Sequence, residues 1–498
     1  MPKDKIWKFI SCLIALGVLA ALLYFRLDLG IRRYFDIDEF AHLHWGYNLF
    51  LGQKPYSDFF YIFPPFFLYP IALILSIFGR SAVSLIAARI FIFMVFAGVC
   101  LFLFLLASLL RGYFFALAAV IVFAFLPMPY DKMLEIRPDL PSLLMSMAGL
   151  YLFISAREKQ RQSLFFLAGF SFAVSLALVP KSLFMLLPPL VITLKDFFQS
   201  KGGDKKKLSK NYLTLAIGLF IPLLFLIIFV FSTGKALFAF YSMTKLSAAI
   251  AKSLSKQFYM RPDLFFYPND TYYGFSGYHA VYLTNLIIWI GGAIYGVWKL
   301  VMSFSHIDEK QAVRGFLLSG VFLANLFAFI KFFPLKHAQY LIPAAPFAAL
   351  FFILLWFDLW AGIKRIKLAK LATATGLVYL LYLGFLTYQI KKNWTNTGTL
   401  AKLDGFLKKL PSDTAVFDLT GETVFFPDGY YFCCLPYGQY QETLLFDYPA
   451  IESYMDKKNT RYVHAGSPER LNVLPDIQRK YLEDNFSWSD FGIMVRKQ

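Results

Sequence analysis

Between Ala82 and Leu110 the chain runs for 29 residues with a single charge, Arg89. As an α-helix that stretch is about 43 Å long, more than the roughly 30 Å hydrocarbon core of a bilayer. Comparable apolar runs recur from Phe9 to Gln389. Hydrophobic residues make up 58% of the 498 and charged residues only 16%, with a mean hydropathy of +0.57. Soluble domains are about 25% charged. The chain therefore reads as a polytopic α-helical membrane protein, and disordered and disulfide-framework classes are excluded.

The net charge of +18 would suit a nucleic-acid binder, but its distribution does not. From Lys391 onward there are 13 Lys and Arg against 14 Asp and Glu, so the first 390 residues carry +19. Much of it lies in short loops between apolar runs: Arg157, Lys159 and Arg161, then Lys195 to Lys210, then Lys364 to Lys370. Basic loops of this kind mark the cytoplasmic side of membrane proteins. No nucleic-acid partner is expected. The first run, Phe9–Phe25, follows Lys3, Lys5 and Lys8 and leads into Arg26 without a small-residue cleavage site, so it reads as a retained anchor with a cytoplasmic N-terminus.

Parity then sorts the next two runs. If Pro64–Phe78 and Ala82–Leu110 both crossed, the basic loop at Arg157–Arg161 would fall outside. Pro64–Phe78 has 15 residues and carries Pro64, Pro65 and Pro70, against the roughly 20 a crossing needs. It is expected to lie at the outer surface. About eleven crossings remain, in a transmembrane region spanning 1–390, with a small soluble α/β domain over 391–498 on the outer side. In that domain Thr414–Leu419, Arg461–His464 and Phe491–Arg496 read as strands, and Leu400–Leu410 and Leu474–Glu483 as helices. Ionisable residues are scarce at the centres of the spans, which weakens a transporter reading.

Polar chemistry gathers instead in the outer loops, most densely in Asp36-Ile37-Asp38-Glu39-Phe40-Ala41-His42-Leu43-His44. Asp38 is placed to cap a helix that starts there. Further segments are Glu135-Ile136-Arg137-Pro138-Asp139, the tight turn holding Lys181, and Lys336-His337-Ala338-Gln339-Tyr340.

Asp38-Glu39-Phe40-Ala41-His42, then Gly52-Gln53-Lys54-Pro55-Tyr56-Ser57-Asp58, then Pro64-Pro65, resembles the first external loop of GT-C glycosyltransferases. The branch it resembles is that of the protein O-mannosyltransferases and lipid A aminoarabinose transferases. The resemblance implies a GT-C-like membrane enzyme, a hexosyl- or pentosyltransferase, that moves a sugar from a polyprenyl-phosphate donor to a lipid, glycan or protein acceptor. Transfer would take place on the outer face of the cytoplasmic membrane, with inversion. Asp38 would take the acceptor proton, with Glu39 orienting it or sharing the proton. Glu135, Arg137, Asp139, Lys181, Lys336, His337 and Tyr340 would bind substrate, the cations meeting the departing phosphate. Gln339 stands where Arg is common in that family. No obligatory metal is expected, although Asp36, Asp38, His42 and His44 offer ligand atoms. The rival from another class is a lipid-linked glycan flippase. Cys433 and Cys434 read as small buried residues, since adjacent cysteines rarely form a relaxed disulfide.

Overall fold

The computed structural model describes residues 3–199, 202–250, 252, 278–306, 309–334, 336–361, 366–434 and 449–497. Parts of the external segment Ser232–Tyr278 and of the basic loop around Lys364 lie outside these. Within the described residues the chain forms α1 (Lys3–Arg32), α2 (Ile37–Phe50), α3 (Leu68–Phe78), α4 (Ala82–Ser108), α5 (Tyr113–Phe125), α6 (Asp139–Lys159), α7 (Gln162–Leu178) and α8 (Leu183–Gln199). There follow α9 (Gly202–Ser232), α10 (Ala236–Tyr241), α11 (His279–Ser305), α12 (Lys310–Lys331), α13 (Ala345–Ala361) and α14 (Ile366–Lys391).

Ion pairs pin the helix ends to two faces. On one face Arg89, two turns into α4, meets Glu39 of α2, while Asp139 at the start of α6 pairs with Lys181 before α8 and with Arg137, which reaches Asp38 of α2. Lys391, the last residue of α14, joins them through Asp131. On the opposite face Arg157 of α6 pairs with Asp196 of α8 at 2.6 Å, and Arg314 of α12 with Glu158 at 2.7 Å. Arg111, after α4, pairs there with Asp358 of α13. Among the described residues, eleven helices thus join the faces: α1, α4 to α9, and α11 to α14.

Eight of them are long and apolar enough to cross a membrane, making this an integral membrane protein. The other three, α5, α7 and α13, have 13, 17 and 17 residues. In α5 every residue from Phe115 to Phe125 is buried in the bundle, so protein rather than lipid surrounds it. Close backbone approach helps to hold the bundle. A Cβ on Gly169 of α7 would stand 2.0 Å from the Leu215 carbonyl oxygen of α9, and one on Gly218 would stand 2.1 Å from that of Phe166. Small residues at such crossings replace the hydrophobic drive that lipid does not supply.

Helix α3 begins and ends on one face. Its proline start follows Tyr61, whose hydroxyl donates to the Pro64 carbonyl, and Gly79 ends it with a φ of 68°. Just beyond, Arg80 donates to the Ser412 carbonyl at 2.6 Å and lies over the Phe426 ring. Pro64–Phe78 is accordingly a surface helix.

After α14 come α15 (Thr397–Lys409), α16 (Ile451–Lys457) and α17 (Asp476–Asn485), with β1 (Val416–Asp418), β2 (Tyr462–His464), β3 (Phe486–Trp488) and β4 (Ile493–Arg496). The sheet order is β1-β2-β4-β3, with β1 and β2 parallel and the other pairs antiparallel. Its apolar side shares one core with the loop after α2: Phe59, Phe60 and Tyr61 pack with Phe417, Tyr430 and Phe432. Cys433 and Cys434 are both buried, as expected of small core residues, with their sulfurs side by side.

Candidate functional site

Helix α2 carries the dense acidic stretch, and its N-cap is Asp36 rather than Asp38. The Asp36 carboxylate accepts from the Asp38 N–H at 3.0 Å, and Glu39 Oε2 accepts from the Asp36 N–H at 2.9 Å. This reciprocal box fixes the first turn. It leaves Asp38 on the side of α2 that looks away from its own cap.

Glu39 and Asp38 have different surroundings. Glu39 is fully buried; Arg89 meets it twice, Nε at 3.0 Å and Nη2 at 2.7 Å, and the Ile136 N–H adds a third donor at 3.1 Å. With the Asp36 N–H, its two oxygens accept four hydrogen bonds, enough to fill a carboxylate's capacity. Asp38 keeps about a third of its side chain exposed, at 35%, and pairs with Arg137.

Around them lies a buried network that local sequence does not announce. Lys132 Nζ donates to Glu135 at 2.9 and 3.0 Å and to Asp36 at 3.2 Å. Arg33 reaches Glu135 at 3.3 Å and stands 3.7 Å from Asp131, which Lys391 also meets. Arg137 stands 3.4 Å from Asp139 and 3.8 Å from Glu135, and Lys181 pairs with Asp139. Six acids (Asp36, Asp38, Glu39, Asp131, Glu135, Asp139) thus face six bases (Arg33, Arg89, Lys132, Arg137, Lys181, Lys391). With every member ionised the network is neutral, so an incoming anion must compete with carboxylates for its cations.

Burial pushes the Glu135 carboxyl up to about 7, against the pull of Lys132, and the neighbouring Asp36 adds to the rise. Burial acts on Asp36 in the same sense, but Lys132, the Asp38 N–H, Arg137 and Arg33 outweigh it and hold that carboxyl well below its usual range. Desolvation, with Lys132, Arg137 and Lys181 nearby, keeps His337 far below the ordinary imidazole range and therefore neutral. Desolvation raises the Tyr340 hydroxyl to about 12, and its ring lies 4.4 Å under the Lys181 ammonium and stacks on Phe333.

Of the residues singled out from sequence, Asp38, Glu39, Glu135, Arg137, Asp139, Lys181, His337 and Tyr340 come together here. Lys336 is differently engaged. Its ammonium donates to the carbonyls of Phe329, Ile330 at 2.9 Å and Phe333 at 2.7 Å, closing the C-terminal turn of α12. A cation at that position satisfies orphan carbonyls and the negative end of the helix dipole.

The proposed ligand atoms for a metal do not converge. Asp36 and Asp38 face Lys132 and Arg137, and His42 packs among Trp45, Phe63 and Phe67 with its pKa lowered by burial to about 3. His44 donates from both sides, Nδ1 to the Val424 carbonyl at 3.1 Å and Nε2 to Asp428 at 2.7 Å. Burial works against a charged His44, but Asp428 prevails and raises its pKa. Its ring lies near Cys433 and Cys434, a grouping that leaves no nitrogen lone pair for an ion. No step through a metal is derived.

A family profile described as dolichyl-phosphate-mannose-protein mannosyltransferase matches residues 63–252. No curated protein sequence matches the chain significantly. The crystal structure of ArnT from Cupriavidus metallidurans bound to undecaprenyl phosphate aligns with 98% of this chain and 97% of its own, at 13% identity and a TM-score of 0.60. The Archaeoglobus fulgidus oligosaccharyltransferase AglB, in complex with an inhibitory peptide and a dolichol-phosphate, aligns with 97% of this chain and 74% of its own, at 12% identity and a TM-score of 0.52. The fold is the one shared with these two structures: a polytopic helical membrane protein with a small C-terminal sheet domain. The matched family segment includes Pro64-Pro65 and begins after the Asp38–Asp58 motif.

Proposed function

We propose that this protein is a membrane glycosyltransferase that takes a sugar from a polyprenyl-phosphate donor and passes it to an acceptor hydroxyl. The observation that carries this is Asp38: a partly exposed carboxylate, oriented by Arg137, at the edge of an otherwise buried and mutually paired charge network. The acceptor oxygen attacks the anomeric carbon while Asp38 takes its proton. The bond from that carbon to the phosphate oxygen breaks, and its electron pair leaves with the polyprenyl phosphate. Arg137 and Lys181, turning from Asp38 and Asp139, meet the charge on that phosphate. Glu39 holds α2 against α4 through Arg89 and moves no proton. One displacement inverts the anomeric centre. The positive charge of the opposite loops supports an outward-facing site in the cytoplasmic membrane.

The test is lipid and glycan mass spectrometry in cells with and without the gene, paired with a purified transfer assay. Accumulated polyprenyl-phosphate sugar and one missing glycan are expected. Net lipid movement without sugar transfer by the purified protein would replace this proposal with a flippase.

A further inference from the structure

On the face opposite the candidate site, the ends of α6, α7, α8, α9 and α12 line an open cavity of about 400 Å³. At roughly 30 Å³ per water that is room for about a dozen waters, ample for a phosphodiester group. Helix α6 spans the distance between the two sites: 18 residues separate Asp139 from Arg157, so they lie about 27 Å apart along the axis.

The cavity floor is apolar, with Ile154, Phe165 and Leu317 buried beneath it. Its charged lining is Arg157, Lys195, Lys310 and Arg314 against Glu158 and Asp196, a net of +2. The ion pairs hold both guanidiniums in place without exhausting them. Among the described residues Arg157 bonds through Nε and Nη2 alone, and Arg314 through Nε and Nη1 alone. One terminal nitrogen of each therefore remains for a ligand. Beside the cavity the lipid-facing sides of α8 and α9 expose Leu194, Phe198 and Leu213, with Phe198 78% exposed.

We infer that this cavity binds the phosphate head of an anionic phospholipid, its acyl chains lying along α8 and α9. Cationic pockets between helix ends at a membrane surface suit such heads, and the apolar flank favours a tailed ligand over a soluble anion. The site is separate from sugar transfer and does not depend on it.

The test is native mass spectrometry of the delipidated full-length protein titrated with phosphatidylglycerol and phosphatidylcholine. Wild type is expected to prefer the anionic lipid by roughly tenfold or more, since each lysine near a membrane surface contributes severalfold. The double variant Lys195→Gln/Lys310→Gln should lose that preference, leaving both ion pairs intact. Lys206→Gln/Lys207→Gln, which removes equal charge from exposed positions outside the cavity, should keep it. No preference in wild type, or equal loss in both variants, would overturn the inference. Displacement of the lipid by millimolar inorganic phosphate would identify a soluble anion as the occupant instead. Stronger binding of undecaprenyl phosphate, abolished by the same cavity variant, would reassign the cavity to the polyprenyl lipid.

Discussion

Neighbouring carboxylates on α2 provide a discriminating experiment, because the structure gives them different surroundings and the proposed mechanism gives them different tasks. In Glu39→Gln one oxygen becomes an NH₂ group, and whichever way the amide turns, that group faces two donors. With the first orientation it meets Arg89 Nη2 and the Asp36 N–H, with the second Arg89 Nε and the Ile136 N–H. Two hydrogen bonds are lost either way, and Arg89 becomes a buried cation without its counter-charge. Removing one partner of such a pair costs about 3–5 kcal/mol. An unfolding entropy of about 2.1 cal/mol/K per residue over the 498 residues is roughly 1 kcal/mol/K. Thermal melting in detergent should therefore fall by about 3–5 °C if the chain melts as one unit. Asp38→Asn should behave in the reverse manner. Its side chain is partly exposed and Arg137 retains Asp139 and Glu135, so melting should move by no more than about 1 °C. Transfer should drop by about 10²–10⁴-fold, the usual contribution of a general base. Both variants would be melted by size-exclusion thermal profiling and assayed with donor and acceptor. Near-normal turnover in Asp38→Asn would remove Asp38 from the mechanism. Unaltered melting with abolished transfer in Glu39→Gln would make Glu39 the proton acceptor and refute the division of labour.

Lys336→Ala should leave donor affinity within about threefold and lower stability by about 0.3–1 kcal/mol, as for a helix-end cation, whereas Lys181→Ala should weaken donor binding by about tenfold or more; isothermal titration with a polyprenyl-phosphate sugar separates the two. The His44–Asp428 contact has a raised histidine pKa, so its stabilisation is complete below the unfolded value near 6.5 and is lost as pH rises through the folded value. The melting difference between wild type and His44→Gln should accordingly be largest at acid pH and shrink toward alkaline pH; a pH-independent difference would contradict the pair. His42, with its pKa lowered to about 3, works in the other direction: the unfolded chain gains a proton below about 6.5, so stability falls as pH drops, and His42→Phe should flatten that limb of the profile. Single cysteines at Lys54 and Ser81 should both react with an impermeant maleimide from the same side of sealed vesicles; opposite accessibility would mean that α3 crosses the bilayer.

Much of this architecture is legible in the sequence wherever the cause is local or additive. Hydropathy, loop charge and parity make Pro64–Phe78 a surface helix, and the contacts of Arg80 with the C-terminal segment place its far end on the starting face. The strands at 416–418, 462–464 and 493–496 follow from short apolar runs, while the three-residue β3 and the seven-residue α16 carry too little pattern to stand out. The cap of α2 was written in the three-residue spacing of Asp36 and Glu39, which favours a reciprocal box over a cap at Asp38. What sequence could not assign was partnership across distance. Arg33 and Glu135 are 102 residues apart, Glu39 and Arg89 are 50 apart, and Asp131 and Lys391 are 260 apart. Arg33, Asp131, Lys132 and Lys391 consequently went unnoticed as members of the network, although each is charged and next to an apolar span. The contacts of Lys336 are hidden for a related reason: backbone carbonyls at a helix end have no sequence signature.

Asp428 also imposes an order in time. Its carboxylate accepts from His44 at 2.7 Å and from Asn48 at 2.6 Å, all buried, and it is added to the chain 384 residues after His44. At about 5–20 residues per second, a ribosome takes roughly 20–80 s to make that interval. Throughout this delay α2 has emerged, yet the polar groups on its domain-facing side have no protein partner. Only when the segment holding Asp428 has been delivered to the same side of the membrane do His44 and Asn48 gain their carboxylate acceptor. A nascent chain that stops short of Asp428 therefore leaves His44 and Asn48 without this partner, and the domain-facing side of α2 is completed only after Asp428 has been made.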